Sequence, residues 1–207
     1  NLVFKFMFKD ISFYQRIISK ISFKKDFPEL AEKDFWLFVI SREDAQFLTG
    51  EIRFLAERLQ NVIALGRKPI LSAPSDFLDQ LKAVLPDFSE VLFLSECSIV
   101  KFKKILLQAE YVFYWNVFSS TIRDRLLNKQ PVFFFDRGHM GKYVHPFFEL
   151  GKSSYYNDFD LPFLDIKKSL FIKNLKRKIR QQSCIYKYFY KMMANFFSSD
   201  KVINDLL

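Results

Sequence analysis

Glycine is scarce in this sequence, at five among 207 residues. A phosphate-cradling loop needs several glycines close together, so neither a glycine-rich dinucleotide fingerprint nor a P-loop is present. Cysteine is scarcer still. Cys97 and Cys184 match neither a metal spacing nor a disulfide framework, which points to a reducing cytoplasm and to two packing residues. No apolar run approaches the roughly 18 residues that a bilayer-spanning helix needs. Internal repeats and low-complexity linkers are absent as well. The chain does not begin with Met, and no signal peptide precedes its first periodic segment. A fragment, or one half of a larger protein, is therefore expected.

What is present is apolar and basic. Hydrophobic residues make up 50% of the chain, 27 of them Phe, which is ample for a core. The length suits one compact domain with a terminal extension. A net charge of +9 implies an acidic partner surface: phosphate, nucleic acid or anionic lipid. The charge is uneven. Lys167, Lys168, Lys173, Lys176, Arg177, Lys178, Arg180, Lys187 and Lys191 follow one another with no acid between the first and the last.

Strand and helix signals alternate through the middle. "DFWLFVIS" (34–41), "PILSAP" (69–74), "EVLFLS" (90–95), "YVFYW" (111–115) and "VFFFD" (132–136) are short runs of aliphatic and aromatic residues, the pattern of strands buried on both faces. Between them, helical spacing predicts a helix from Glu43 to Leu65 that ends at Gly66. A second is capped by Ser75, a third spans Ile99–Gln108, and a short one starts near Ser119. Strands joined by helical crossovers predict a Rossmann-like α/β domain over 34–139: a mostly parallel five-stranded sheet with Phe38, Leu71, Phe93, Phe113 and Phe134 in its core. Residues 1–33 read as a basic, aromatic, partly helical segment. Residues 140–165 read as an irregular loop, and 166–207 as basic amphipathic helices.

Parallel sheets bind ligands beyond the carboxyl ends of their strands. Those ends here carry Ser41 and Arg42, Ser72, Ser95, Asn116 through Ser119, Ser120 and Thr121, and Asp136 through His139. A helix N-terminus attracts phosphate through its free N–H groups and dipole, and the three hydroxyls at 119–121 would add donors. The same hydroxyls also suit a helix cap. Gly138 permits a tight turn, Arg137 has the planar fork that clamps phosphate, and His139 is a candidate proton shuttle. An Asp136–Arg137 pair on a solvated loop is the plainer reading. His145, beside Pro146, reads as a packing residue.

The stretch "STIRDRLLNKQPVFFFD" (120–136) resembles the nucleotide-sugar-binding half of the GT-B glycosyltransferases. That family typically shows Ser-Thr, two variable residues, Glu-Ala-Leu, two more, then Gly-x-Pro and a hydrophobic strand. Ser120, Thr121, Leu126 and Pro131 fall in register. Asp124 stands where the family has an acid that holds the donor's ribose, one methylene shorter than the usual Glu. Arg125 replaces a small residue and Lys129 the usual glycine. The resemblance implies a nucleotide-sugar donor, with its diphosphate near the hydroxyls. Departure of a nucleoside diphosphate needs charge stabilisation by helix dipole, hydroxyls and a cation; with no Asp-x-Asp motif read in the chain, a mechanism without metal or cofactor is expected. The catalytic base normally belongs to the other lobe, leaving His139 and Arg137 as the weak candidates within this chain.

The basic tail puts Leu170, Phe171, Leu175, Ile179, Ile185 and Phe189 near one helical face with cations around the rest. Such a helix suits an anionic membrane surface. It suits equally a helix packed across its own domain. Nucleic acid ranks below these, since no recognised nucleic-acid motif accompanies the Lys, Arg and Tyr. The expected function is a glycosyltransferase, or its donor-binding lobe, acting on a glycan or lipid-linked acceptor. It would sit in the cytoplasm, peripheral to the inner face of the plasma membrane. A non-catalytic α/β module that binds a phosphorylated ligand or partner is the alternative.

Overall fold

Five short apolar runs form one sheet in the computed structural model, which describes residues 27, 30, 34–48, 50–85, 87–95, 97–139, 148–149, 152–153, 156–189 and 191. The strands are β1 (Phe35–Val39), β2 (Lys68–Ser72), β3 (Leu92–Leu94), β4 (Tyr111–Tyr114) and β5 (Val132–Phe134). All neighbours are parallel, in the order β3-β2-β1-β4-β5. The helices are α1 (Arg42–Ala45), α2 (Ile52–Ala64), α3 (Ser75–Val84), α4 (Ile99–Gln108), α5 (Ser120–Leu127) and α6 (Ile172–Gln181). This is the Rossmann-like α/β fold expected from the alternation of runs.

Strand side chains alternate between two cores, because each face of a buried parallel sheet needs its own cover. Trp36, Phe38, Leu71, Phe113 and Phe133 meet α2, α3 and α6 on one face. Leu37, Ile70, Val112, Tyr114 and Phe134 meet α4 and α5 on the other. Of the expected core residues, Phe38, Leu71, Phe113 and Phe134 are fully buried. Phe93 is only partly so, since β3 is the sheet's edge.

Two helix assignments need correction. The single helix expected from Glu43 to Leu65 is two, α1 and α2, with turns at 46–47 and 50–51 between them. Leu48 and Leu55 both lie in the core, and Asp44 of α1 is buried at the exit of β1. Ser75 is the first residue of α3 rather than its cap; Pro74 takes the cap position, with φ already fixed by its ring.

α2 and α5 end alike. Gly66 donates to Ile63 O and Arg67 to Val62 O; Lys129 donates to Leu126 O and Gln130 to Arg125 O. That bond pair is the Schellman motif, and it needs a left-handed residue after the cap. Gly66 supplies it at φ 72°, whereas Lys129 adopts φ 55° at a steric cost of about 1 kcal/mol. The glycine missing from "LNKQP" is thus missing from a position whose backbone still asks for it.

Arg125 lies entirely inside. Its Nη1 donates to Leu106 O (2.9 Å), Ala109 O (2.8 Å) and Gln130 Oε1 (3.1 Å), and its Nη2 to Pro131 O (2.9 Å) and Glu110 O (3.4 Å). The guanidinium therefore caps the end of α4 and ties it to the starts of β4 and β5. A cation is favoured there because the last carbonyls of a helix carry its negative dipole end. Burial pushes Arg125 down to about 10, with smaller opposing effects from Tyr114 and Tyr186, so it stays charged at neutral pH.

The chain after 139 closes both faces and one edge. Residues 162–164 run beside β5, with Phe134 N–H donating to Pro162 O and Leu164 N–H to Phe134 O. This bridge gives order to part of the expected 140–165 loop. α6 then brings Leu175 into the first core, while Ile185 and Phe189 of the helical stretch 183–189 enter the second. At the crossing, buried Gln182 accepts from the Val132 N–H (3.2 Å). The tail's apolar stripe is thereby used within the protein, except for Phe171, which is exposed. The segment expected at 1–33 lies outside the described residues apart from Phe27 and Leu30, as do 192–207.

Candidate functional site

β1 to β3 spread one way across the sheet and β4 and β5 the other, so the topological switch point falls between β1 and β4. Chains leaving neighbouring strands in opposite directions open a crevice there. Three strand exits meet at that point.

From β1 comes Asp44, 4% exposed. Ser41 caps α1 by accepting from Asp44 N (3.1 Å) and donates its hydroxyl to Asp44 Oδ2 (2.8 Å). From β5 comes His139, whose backbone N–H and ring Nδ1 both approach Asp44 Oδ1, at 2.9 and 3.0 Å. A carboxylate only accepts, so Nδ1 carries the proton and Nε2 is bare when the ring is neutral. Glu43, exposed beside them, is held below its ordinary value by the N–H of its own backbone and then by the Ser41 hydroxyl, with His139 contributing less.

From β4 comes Asn116, whose Oδ1 accepts from Phe118 N (2.7 Å). The β5 exit lies directly on it. A Cβ on Gly138 would fall 2.8 Å from Asn116 Cγ and 2.9 Å from its Cα, and Gly138 has φ 86°. A charged run containing glycine follows β5 because the chain must double back across the end of β4 to reach β1.

The hydroxyl cluster does not supply the side-chain cap that one reading expected. Ser119 is the cap residue of α5 but makes no side-chain cap bond. Its Oγ pairs instead with Thr121 Oγ1 (2.8 Å), which also pairs with Tyr114 OH (3.2 Å). Burial raises Tyr114 well above its ordinary value, against a smaller lowering effect of that Thr121 bond. Thr121 is itself buried, and Ser120 is the exposed hydroxyl of the three.

The remaining residues are spread more widely. Arg137 lays its guanidinium over the Phe148 ring, 4.4 Å from the centroid. Stacking of this kind leaves the in-plane N–H donors available. Asp124 is in an ion pair with Lys103 of α4 (3.0 Å), which a ribose would have to displace. Arg42 is exposed on α1. Ser72 and Ser95 end β2 and follow β3, one and two strands beyond β1, away from His139. One Asp-x-Asp spacing, missed in the reading of the sequence, occurs at Asp158 and Asp160; both are exposed. Among the described residues no three His, Cys, Asp or Glu side chains gather as a metal cluster. Nor is any described helix long and apolar enough to cross a membrane.

Asp44 is the residue that sequence reasoning missed. Its signal was the Ser41-x-x-Asp44 spacing, which places an acid at the third position after a hydroxyl cap.

No protein-family model matches the chain, and no curated protein does. Among solved structures it is similar to a putative UDP-N-acetylglucosamine 2-epimerase from Listeria monocytogenes, at 13% identity and TM-score 0.41 over 80% of this chain and 41% of that one. It is also similar to the UDP-GlcNAc 2-epimerase from Neisseria meningitidis bound to UDP-GlcNAc, at 11% identity and TM-score 0.45 over 84% of this chain and 42% of that one. The chain spans about two fifths of the length of both.

Proposed function

We propose that the chain is the nucleotide-sugar-binding lobe of a glycosyltransferase of the GT-B kind that its 120–136 stretch resembles. The acceptor would be a glycan or lipid-linked sugar at the cytoplasmic membrane face. One observation carries this reading: the exits of β1, β4 and β5 converge at the switch point with Arg137, His139 and the start of α5 around it. Cationic and N–H groups fixed before the ligand arrives are what a departing diphosphate needs.

Thermal shift with UDP, GDP, CDP, dTDP and CMP tests it. A ligand at a hundred times its dissociation constant adds about 2.7 kcal/mol to stability, a readily measured rise in midpoint. Ser120→Ala should weaken the best nucleotide roughly tenfold, within the range for a lost hydrogen bond to a charged group. It should leave the ligand-free midpoint where it was, because Ser120 is exposed. If none of the five raises the midpoint, the donor-lobe reading fails and the non-catalytic module takes its place.

The membrane part rests on α6. Lys173, Lys176, Arg177 and Arg180 are exposed, and Lys178 is held below its ordinary value by partial burial and then by Arg177. With Leu175 in the core, an anionic surface would meet cations rather than an apolar stripe. Binding to anionic vesicles should fall steeply with salt and vanish when Lys176, Arg177, Lys178 and Arg180 become Gln. Equal binding to neutral vesicles would refute the electrostatic contact.

A further inference from the structure

Asp44 and His139 are 95 residues apart in sequence and share one hydrogen-bonded centre at the switch point. A loop staple would need only the His139 backbone N–H on Asp44, and that bond is present at 2.9 Å. The ring adds a second contact to the same oxygen, which a staple does not require. Ser41 holds the other carboxylate oxygen, so Asp44 cannot turn away without losing a bond. The imidazole is 25% exposed while the carboxylate beneath it is buried. Gly138, pressed onto Asn116 in a left-handed conformation, is what allows the ring to arrive there.

From this geometry we infer that His139 is a catalytic residue that takes the proton from a substrate hydroxyl, with Asp44 as its positioning residue. The inference deepens the glycosyl-transfer reading and rests on it. Asp44 fixes the proton on Nδ1, leaving the Nε2 lone pair as acceptor. As the attacking hydroxyl oxygen bonds to the anomeric carbon, its proton passes to Nε2. The bond from that carbon to the nucleotide's phosphate oxygen breaks, and its electron pair leaves with the nucleotide. The resulting imidazolium is stabilised by the Asp44 carboxylate and later returns its proton to water. The substrate class is a hydroxylated acceptor, a sugar or a lipid-linked sugar, so this lobe would contribute the base that such proteins usually draw from the other one.

The test uses the full chain labelled with nitrogen-15 in its histidines, at mildly alkaline pH, with the nucleotide that gives the largest thermal shift. The expected spectrum for His139 has Nδ1 protonated and Nε2 bare. Nucleotide should move the Nε2 signal, and Asp44→Asn should disturb the tautomer. His139→Gln should lower the transfer rate by about two to four orders of magnitude, the usual contribution of a positioned base, and far more than it changes the nucleotide's dissociation constant. Several results overturn the proposal while leaving the donor lobe standing. They are an Nε2-protonated tautomer, a His139 signal unmoved by a nucleotide that binds, Asp44→Asn with the parent's tautomer, or His139→Gln with the parent's rate. A parent that binds no nucleotide removes the donor-lobe reading and this step with it.

Discussion

Replacing Arg125 with Ala should lower the free energy of unfolding by about 3 to 5 kcal/mol. One term favours the change and two oppose it. Removing a buried charge relieves its desolvation, which is worth a few kcal/mol. Against that, Arg125 is among the largest fully buried side chains, and its loss leaves a cavity whose cost is about 2 to 5 kcal/mol for a large-to-Ala change. The carbonyls of Leu106, Ala109 and Pro131 also lose their guanidinium donor, at about 1 to 3 kcal/mol for each that stays dry. Cavity and orphaned acceptors together exceed the relief. Urea unfolding should show an earlier midpoint with an unchanged slope. Arg125→Met fills most of the volume but donates nothing, so it should fall between Ala and the parent. A Met variant as stable as the parent would mean that the guanidinium's hydrogen bonds contribute nothing, and an Ala variant within 1 kcal/mol of the parent would refute the whole account.

Gly138→Ala should cost about 2 to 4 kcal/mol and disrupt the crevice as well. The left-handed backbone alone accounts for about 1 to 2 kcal/mol of that. The rest is overpacking, because one of the atoms met at 2.9 Å is the Asn116 Cα, which cannot rotate aside as a side-chain tip would. Gly66 provides the internal comparison. It has φ 72° but nothing within 4 Å of a built Cβ, so Gly66→Ala carries only the backbone cost. Subtracting the Gly66 loss from the Gly138 loss, both from denaturant midpoints, isolates the contact with Asn116. Equal losses would show that β4's end accommodates the methyl group freely. If the difference is real, nucleotide binding should weaken in Gly138→Ala and remain intact in Gly66→Ala.

All five strands could be read from the sequence because strands covered on both faces are continuous apolar runs, and their breaks at Ser72, Ser95 and Asp136 lie where the chain leaves the core. The fold class followed from their alternation with helical spacing. Contacts between distant exits could not be read. Asp44 lay inside what resembled one helix, and the acid's partner is 95 residues on. Arg125 was within reach: with Ile122 and Leu126 it occupies spacing i, i+3, i+4, which turns it inward, yet a charge there reads as a surface residue. The tail shows a limit of periodicity. A stripe such as Leu170, Leu175 and Ile185 reports that a face must be covered and is silent on whether lipid or the protein's own sheet covers it. The hydroxyls at 119–121 have the composition of both a cap and a phosphate site, and only coordinates reveal Tyr114 as the partner of Thr121.

The crossing at Gln182 bears on how the chain is made. Leu175 fills a gap on one side of the sheet, Ile185 and Phe189 fill gaps on the other, and the Val132 N–H donates to Gln182. A ribosome delivers all five strands well before it delivers these residues. Until position 189 has cleared the exit tunnel, the nascent sheet exposes apolar side chains on both sides and leaves the Val132 N–H to water. Completion of both cores thus waits on residues 175–189, and a chaperone that shields the emerging domain would have to hold two surfaces at once.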